Sequence, residues 1–390
     1  MKHEKAKRLQ ELPPYIFSEI NKIKADATSR GIKLISLGIG DPDKPTPDSI
    51  VKKMQEAIAK PENHPYSPYN GSTEFRESVV TWFKKRFGVS LDAEKEVVAL
   101  IGSKEGLAHF PVAFCNPGDV ALYPNPGYPV FSSSIHLGAG IPIGIPMSAD
   151  QGMLPELNEL ESIMKEKSPK YMILNFPSNP TSVMCPRDLM TDIVGLAKKY
   201  NTIILSDNAY AEIYYDEAKK PFSILEIEGA KDVAIEFHSF SKTFNMTGWR
   251  IAFAVGNPDL VAGLLEAKTQ IDSGPLLSVQ ETAAYALSQY DNIVPGIRDV
   301  YADRRKVLLS GLDDLGIEYL PLDATFFLWA KCPKGMKSMD LTRDLIEKKG
   351  LVVTPGMGFG DQGEGFFRLA MTVDTPEINT FLTKFGEYLK

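Results

Sequence analysis

Between residues 97 and 256 the chain repeats one pattern: a short apolar run without polar alternation, then a longer stretch with helical spacing. The runs are VVALIG, VALYP, GIPIGIPM, YMILNFP, TIILSD, VAIEFHS and RIAFAVG, and RDLMTDIVGLAKKY is one of the stretches between them. A strand that is apolar throughout is buried on both faces, and parallel neighbours need a crossover that a helix supplies. The expected fold is α/β, with a mostly parallel sheet flanked by helices. Ahead of it, DSIVKKMQEAIAK reads as a helix capped by Asp48. After a long helical stretch from about 258 to 315, ATFFLWAKC and GLVVTPG read as strands before a helical C-terminus. That tail and the N-terminal segment predict a smaller α+β domain, made of residues 1–44 with 286–390, beside a large domain at 45–285.

Composition narrows the partners. Residues are 43% hydrophobic and 24% charged, and 43 basic against 50 acidic side chains give a net charge of −7. Interspersed charge of that sign offers no basic face for nucleic acid, which leaves small molecules as the expected partners. Cys115, Cys185 and Cys332 are too scattered for a disulfide framework or a zinc site, so a reducing compartment and no metal are expected. The opening MKHEKAKRLQELPP has no apolar signal core, and no run approaches membrane-spanning length. A cytoplasmic location follows as the expectation.

The stretch HSFSKTFNMTGWR, 238–250, concentrates the chemistry. Lys242 follows a buried strand and is flanked by Phe240 and Phe244. Loss of hydration there favours the neutral amine, which is what a Schiff-base nucleophile requires. Arg250, with the hydroxyls of Ser239 and Ser241, suits a phosphate. In IGSKEG, Gly102 ends a strand and Ser103 opens a helix, so backbone N–H groups and the helix dipole face an anion. Asp207 in ILSDNAYAE ends a central strand, where a carboxylate is costly without a cation, and Tyr210 stands three residues on. Asn179 in NFPSNPTS and Tyr128 in YPNPGYPVF lie in loops after strands, one able to bond a ring hydroxyl and the other to stack on a ring. Arg368 in GFFRLAM sits in an apolar strand without an acid for a neighbour, so a substrate carboxylate is its expected partner. Taken singly, each has a bland reading as a cap, a turn, a packing residue or a surface charge. One ligand, pyridoxal 5′-phosphate, accounts for all of them.

These motifs, in this order, resemble the signatures of class I fold-type I aminotransferases, from PPYIF to the C-terminus. The resemblance implies the fold-type I architecture of pyridoxal-phosphate transferases, a large cofactor-binding domain, and ping-pong transfer of an amino group between an amino acid and a 2-oxo acid. Within the family, RGIKLISLGIGDPDKPTP, IGSKEGLAHFPVAF and IEFHSFSKTFNMTGWRIAFAVGN are most similar to the LL-diaminopimelate aminotransferases of lysine biosynthesis, with 2-oxoglutarate as the expected acceptor. It further implies a homodimer with shared active sites, in which Tyr66 of HPYSPYNG reaches the phosphate in the neighbouring subunit. Carried over likewise, Gly40 and Arg368 hold the substrate carboxylate, Tyr15 and Lys104 lie near the substrate, and Ser103 and Lys104 offer N–H groups to the phosphate. Ser182 departs from the pattern, which has glycine after NPT. An aspartate or alanine aminotransferase, a β-eliminating lyase and a non-catalytic regulator on the same fold are the alternative readings.

Overall fold

The structure, a computed structural model, describes residues 3–12 and 16–390. Twelve strands occur among them: β1 (Ile35–Ser36), β2 (Val97–Leu100), β3 (Val120–Asn125), β4 (Ile141–Pro146), β5 (Tyr171–Leu174), β6 (Ile203–Asp207), β7 (Ala234–Ser239), β8 (Ala252–Gly256), β9 (Phe327–Lys331), β10 (Leu351–Val352), β11 (Thr354–Pro355) and β12 (Phe366–Ala370). All seven apolar runs form strands of one sheet, in the order β2-β8-β7-β6-β5-β3-β4. Its pairings are parallel except those of β8, which runs antiparallel to both β7 and β2. The reversal has a local cause: the lysine-bearing segment after β7 is a single helical turn and a tight loop, too short to carry the chain back for a parallel return. At the other end β4 is an edge strand, tied to β3 by bonds such as Ile141 N–H to the Asp119 carbonyl.

Each face of this sheet carries its own apolar layer. One gathers Phe75, Phe83, Met172, Ile204 and Phe253, and the other Leu107, Phe110, Tyr171, Leu205 and Phe237. A separate core packs helix and strand residues between Ile297 and Phe385 against Ile35, Leu37 and Tyr210. Its three-stranded antiparallel sheet, β11-β12-β9, faces the carboxyl ends of the large sheet across a cleft, and β1 pairs in parallel with β10. No helix among the described residues is long and apolar enough to cross a membrane.

Two local expectations need correction. Asp48 is the first residue of the helix Asp48–Ile58, whose N-cap is Pro47, and no side chain caps it. Asp48 instead stands in the first turn, where its charge complements the helix dipole. The helical stretch from 258 to 315 is three helices, Pro258–Thr269, Leu277–Ser288 and Tyr290–Asp314. Gly274, at φ +78°, followed by Pro275 breaks the first from the second.

Candidate active site

A cavity of about 400 Å³ lies where the carboxyl ends of β5, β6 and β7 meet β12 and the segment after β1. This is where open α/β sheets bind ligands, because helix N-termini and loop residues converge there.

Lys242 reaches it from the single helical turn Phe240–Thr243, whose N-cap Ser239 accepts a hydrogen bond from the Ser241 N–H. Its Nζ donates to the Gly40 carbonyl at 3.0 Å. Burial lowers the pKa of the ammonium to about 8, with Arg368 and Arg250 adding repulsion and Asp41 opposing them. A substantial fraction of neutral amine at physiological pH is the result.

Asp207, the last residue of β6, is buried. Desolvation pushes its carboxyl up to about 7, the Ala209 N–H only partly opposing this, and Oδ1 has no hydrogen-bond partner. Such an oxygen, aimed into a cavity, calls for a donor that carries positive charge.

Arg368 is buried on β12, donating to Asn179 Oδ1 at 2.7 Å and to the Gly38 carbonyl at 2.9 Å, with Phe327 stacked 4.1 Å from its guanidinium. Desolvation lowers its pKa to about 10, and its hydrogen bonds go to an amide and a carbonyl, with no acid among the described residues paired with it. Asn179 is held by its own N–H to Asn175 Oδ1 at 2.8 Å, while Asn175 Nδ2 anchors to the Asp207 carbonyl. With Oδ1 taken, the amide N–H of Asn179 is the part of that side chain that would meet a ring oxygen. Tyr210 is buried beside them with its phenol pKa raised by desolvation, and Tyr128 also lines the cavity.

At the opposite end the helix Ser103–Phe114 begins with Gly102 as N-cap. Gly102 has φ +114°, and a Cβ there would sit 2.1 Å from Arg250 Nη2. The missing side chain therefore lets the guanidinium lie against the helix start, whose first N–H groups have no acceptor within the helix. Arg250 itself takes φ +55° and donates to the Thr247 carbonyl at 2.7 Å. Guanidinium, helix N-terminus and the Ser239 and Ser241 side chains make a cradle for a phosphate.

Pyridoxal 5′-phosphate fits these residues: the unpartnered Asp207 oxygen suits its ring nitrogen, the cradle its phosphate and the Lys242 amine its aldehyde. Lys242, Ser103, Lys104, Tyr128, Asn179, Asp207, Tyr210, Ser239, Ser241, Arg250, Gly40 and Arg368 all line the one cavity. Tyr66 does not; it is 88% exposed on the surface of the chain. Tyr15 lies outside the described residues. The sequence reading missed Asn175 and Phe327. Asn175 stands in the same NFPSNPTS motif, four residues before Asn179, and the repeated Asn before a proline-rich turn was the available signal.

A profile of the family described as "Aminotransferase class I and II" matches residues 32–385. An LL-diaminopimelate aminotransferase of Aquifex aeolicus is 48% identical over 95% of each chain, and one of Nitratidesulfovibrio vulgaris (Miyazaki F) 47% identical over 97% of each. Among solved structures, substrate-bound BacF from Bacillus subtilis superposes with a TM-score of 0.93 at 32% identity, covering 100% of this chain and 98% of its own.

Proposed function

This chain belongs to the class I and II aminotransferases, which depend on pyridoxal 5′-phosphate, and we propose that its amino donor and acceptor pair is LL-diaminopimelate and 2-oxoglutarate. The observation that carries the reading of the site is the meeting of a deprotonatable Lys242, an unpaired Asp207 and an acid-free Arg368 in one cavity. The donor is supported by the two bacterial relatives of that name, with which nearly the whole chain aligns.

When bound, the cofactor supplies an aldehyde carbon that condenses with primary amines and a ring that draws electron density from the substrate Cα. Asp207 would hold the ring nitrogen in its protonated form. Tyr210 and the Asn179 amide would donate to the ring oxygen, and Tyr128 would lie against the ring face. Ser103 and Lys104 N–H groups, Ser239, Ser241 and Arg250 would hold the phosphate. Arg368 and the backbone at Gly40 bind the substrate α-carboxylate, which orients the Cα–H towards Lys242, while the Lys104 side chain, with Tyr15, would border the substrate. Lys242 would remove the Cα proton as general base and give a proton back as general acid, roles that an amine whose pKa burial lowers to about 8 suits. Reversal with the 2-oxo acid completes a ping-pong cycle.

The assembly belongs to the same proposal. The chain divides into residues 45–285 and 1–44 with 286–390, works in the cytoplasm, and pairs as a homodimer in which Tyr66 of one copy reaches the phosphate in the other. Its exposure at 88%, beside Tyr69 at 47%, Ile271 at 52% and Leu276 at 43%, is the apolar surface that supports this.

The test is a panel of amino donors assayed with 2-oxoglutarate, alongside the visible spectrum of the enzyme titrated with each. LL-diaminopimelate is expected to bleach the cofactor band and to have the highest kcat/KM. Turnover of aspartate or alanine without turnover of LL-diaminopimelate would reject the donor and leave the family intact.

A further inference from the structure

Ser182 and Thr325 both occupy the left-handed backbone region, at φ +64° and φ +61°, where glycine is the usual residue. They face each other in a fully buried contact between the turn after Asn179 and the start of β9. Two strained residues in direct contact mark a place where the side chains are worth keeping.

The proton count fixes the direction of every bond. Phe327 N–H donates to Thr325 Oγ1 at 3.0 Å, and Ser182 Oγ donates to the Phe327 carbonyl at 2.5 Å. Serine has one hydroxyl proton, so the 2.6 Å contact between the hydroxyls is a donation from Thr325 to Ser182. Phe327, Thr325 and Ser182 thus form a closed ring of three donations. The same segment is held from outside by Thr325 N–H to the Ile213 carbonyl and Tyr215 Oη to the Thr325 carbonyl.

What this ring holds is two consecutive aromatics against the two cations of the site. Phe326 lies 5.7 Å from Lys242 Nζ, Phe327 lies 4.1 Å from the Arg368 guanidinium, and both rings pack edge-on against Tyr210. Phe327 also fits into space that only a glycine at position 40 leaves, since a Cβ there would meet its ring at 2.7 Å. Without the Ser182 hydroxyl, the Phe327 carbonyl and the Thr325 hydroxyl proton are both buried without a partner. Residues 325–327 must then rotate to satisfy them, and the rings move with the backbone.

We propose that Ser182 is a positioning residue for substrate: through Thr325 and Phe327 it sets how the Arg368 guanidinium is presented to the substrate carboxylate. The inference rests on the reading of Arg368 as the carboxylate anchor. Phe327 also packs on Tyr210, which would meet the cofactor's ring oxygen, but the three ring members make no hydrogen bond to Asp207 or to the phosphate cradle, so the main effect is on substrate affinity.

In the holoenzyme, Ser182→Ala is expected to raise KM for the amino acid and for the 2-oxo acid together, by about tenfold, with kcat within about twofold and the cofactor band unchanged. Thr325→Val, which keeps the volume but not the relay, should match it, Thr325→Ser should retain wild-type KM, and the Ser182→Ala/Thr325→Val pair should be no worse than either alone. Ser182→Gly, which the left-handed backbone accepts without strain, provides a folded chain even if alanine does not. A merely structural role would lower the melting midpoint and leave KM alone. Wild-type KM for both substrates in Ser182→Ala, or in Ser182→Gly if alanine does not fold, overturns the inference. Arg368→Lys is measured in parallel: a KM raised there but not in the Ser182 variants removes this inference only, whereas an unchanged KM in Arg368→Lys removes the anchor reading and this inference with it.

Discussion

Loss of water pushes Asp207 and Lys242 in opposite directions, the acid up to about 7 and the amine down to about 8, so burial brings two groups of ordinarily distant pKa within reach of neutrality. For the carboxyl this has a signed consequence. Its folded pKa near 7 lies above the unfolded value near 4, so the folded chain binds the extra proton between them, and stability from this group falls as pH rises through that window. Asp207→Asn removes the dependence. In the cofactor-free protein the variant should therefore be more stable than wild type at pH 8, with the gap shrinking towards pH 4, whereas cofactor affinity should drop at least about tenfold. Thermal midpoints at both pH values, with and without cofactor, check this, and a gap of equal size at the two pH values would contradict it. These residues were legible in the sequence because each is chemically out of place: a lysine among phenylalanines, an aspartate ending an apolar run, an arginine inside one. Phe327 was not, because it stands in ATFFLWAKC among other apolar residues, and which of the two adjacent rings meets Arg368 depends on a strand register that composition does not carry.

At the scale of elements, the start of the helix Ser103–Phe114 depends on Gly102 having no side chain. Gly102→Ala would place a Cβ 2.1 Å from Arg250 Nη2 in a backbone region that resists any L side chain. Cofactor affinity is expected to fall about 10- to 100-fold, and the variant combined with Arg250→Ala should lose less than the two single losses together, since removing the guanidinium relieves the clash and leaves only the backbone strain. Equilibrium titration of cofactor against the single and double variants measures this; full additivity would mean that Gly102 and Arg250 act separately. Five of the seven long strands, β2 and β5 to β8, are buried along almost their whole length, and burial on both faces leaves the unbroken apolar run by which they could be read; β4, at the edge, is as apolar but only partly buried. GLVVTPG was readable as a strand, but not its division into the two-residue β10 and β11, nor β1, since pairings that short depend on what docks beside them. The division of 258–315 into three helices was not read either, although the Gly274–Pro275 pair marks the first break in the sequence; the second, at Gln289, has no such marker.

For the whole molecule, the proposed exchange of Tyr66 between subunits can be read by complementation. Lys242→Ala alone should be inactive and Tyr66→Ala weak; co-expressed, they form mixed dimers in which one site has both residues intact. Activity regained above the sum of the two, with purified mixed dimers, is the expected outcome, and none regained would place Tyr66 outside the other copy's site. The free rim of the large sheet settles a different matter. In β4 the residues at 141, 143 and 145 turn their N–H groups to β3, as the Ile141 bond requires, so those at 142, 144 and 146 face outward. Two of those three are prolines, Pro142 and Pro146, which have no N–H to give. An unfamiliar strand arriving at this margin would find a single donor at Gly144, so the sheet ends there by its own chemistry and cannot seed a chain-to-chain stack.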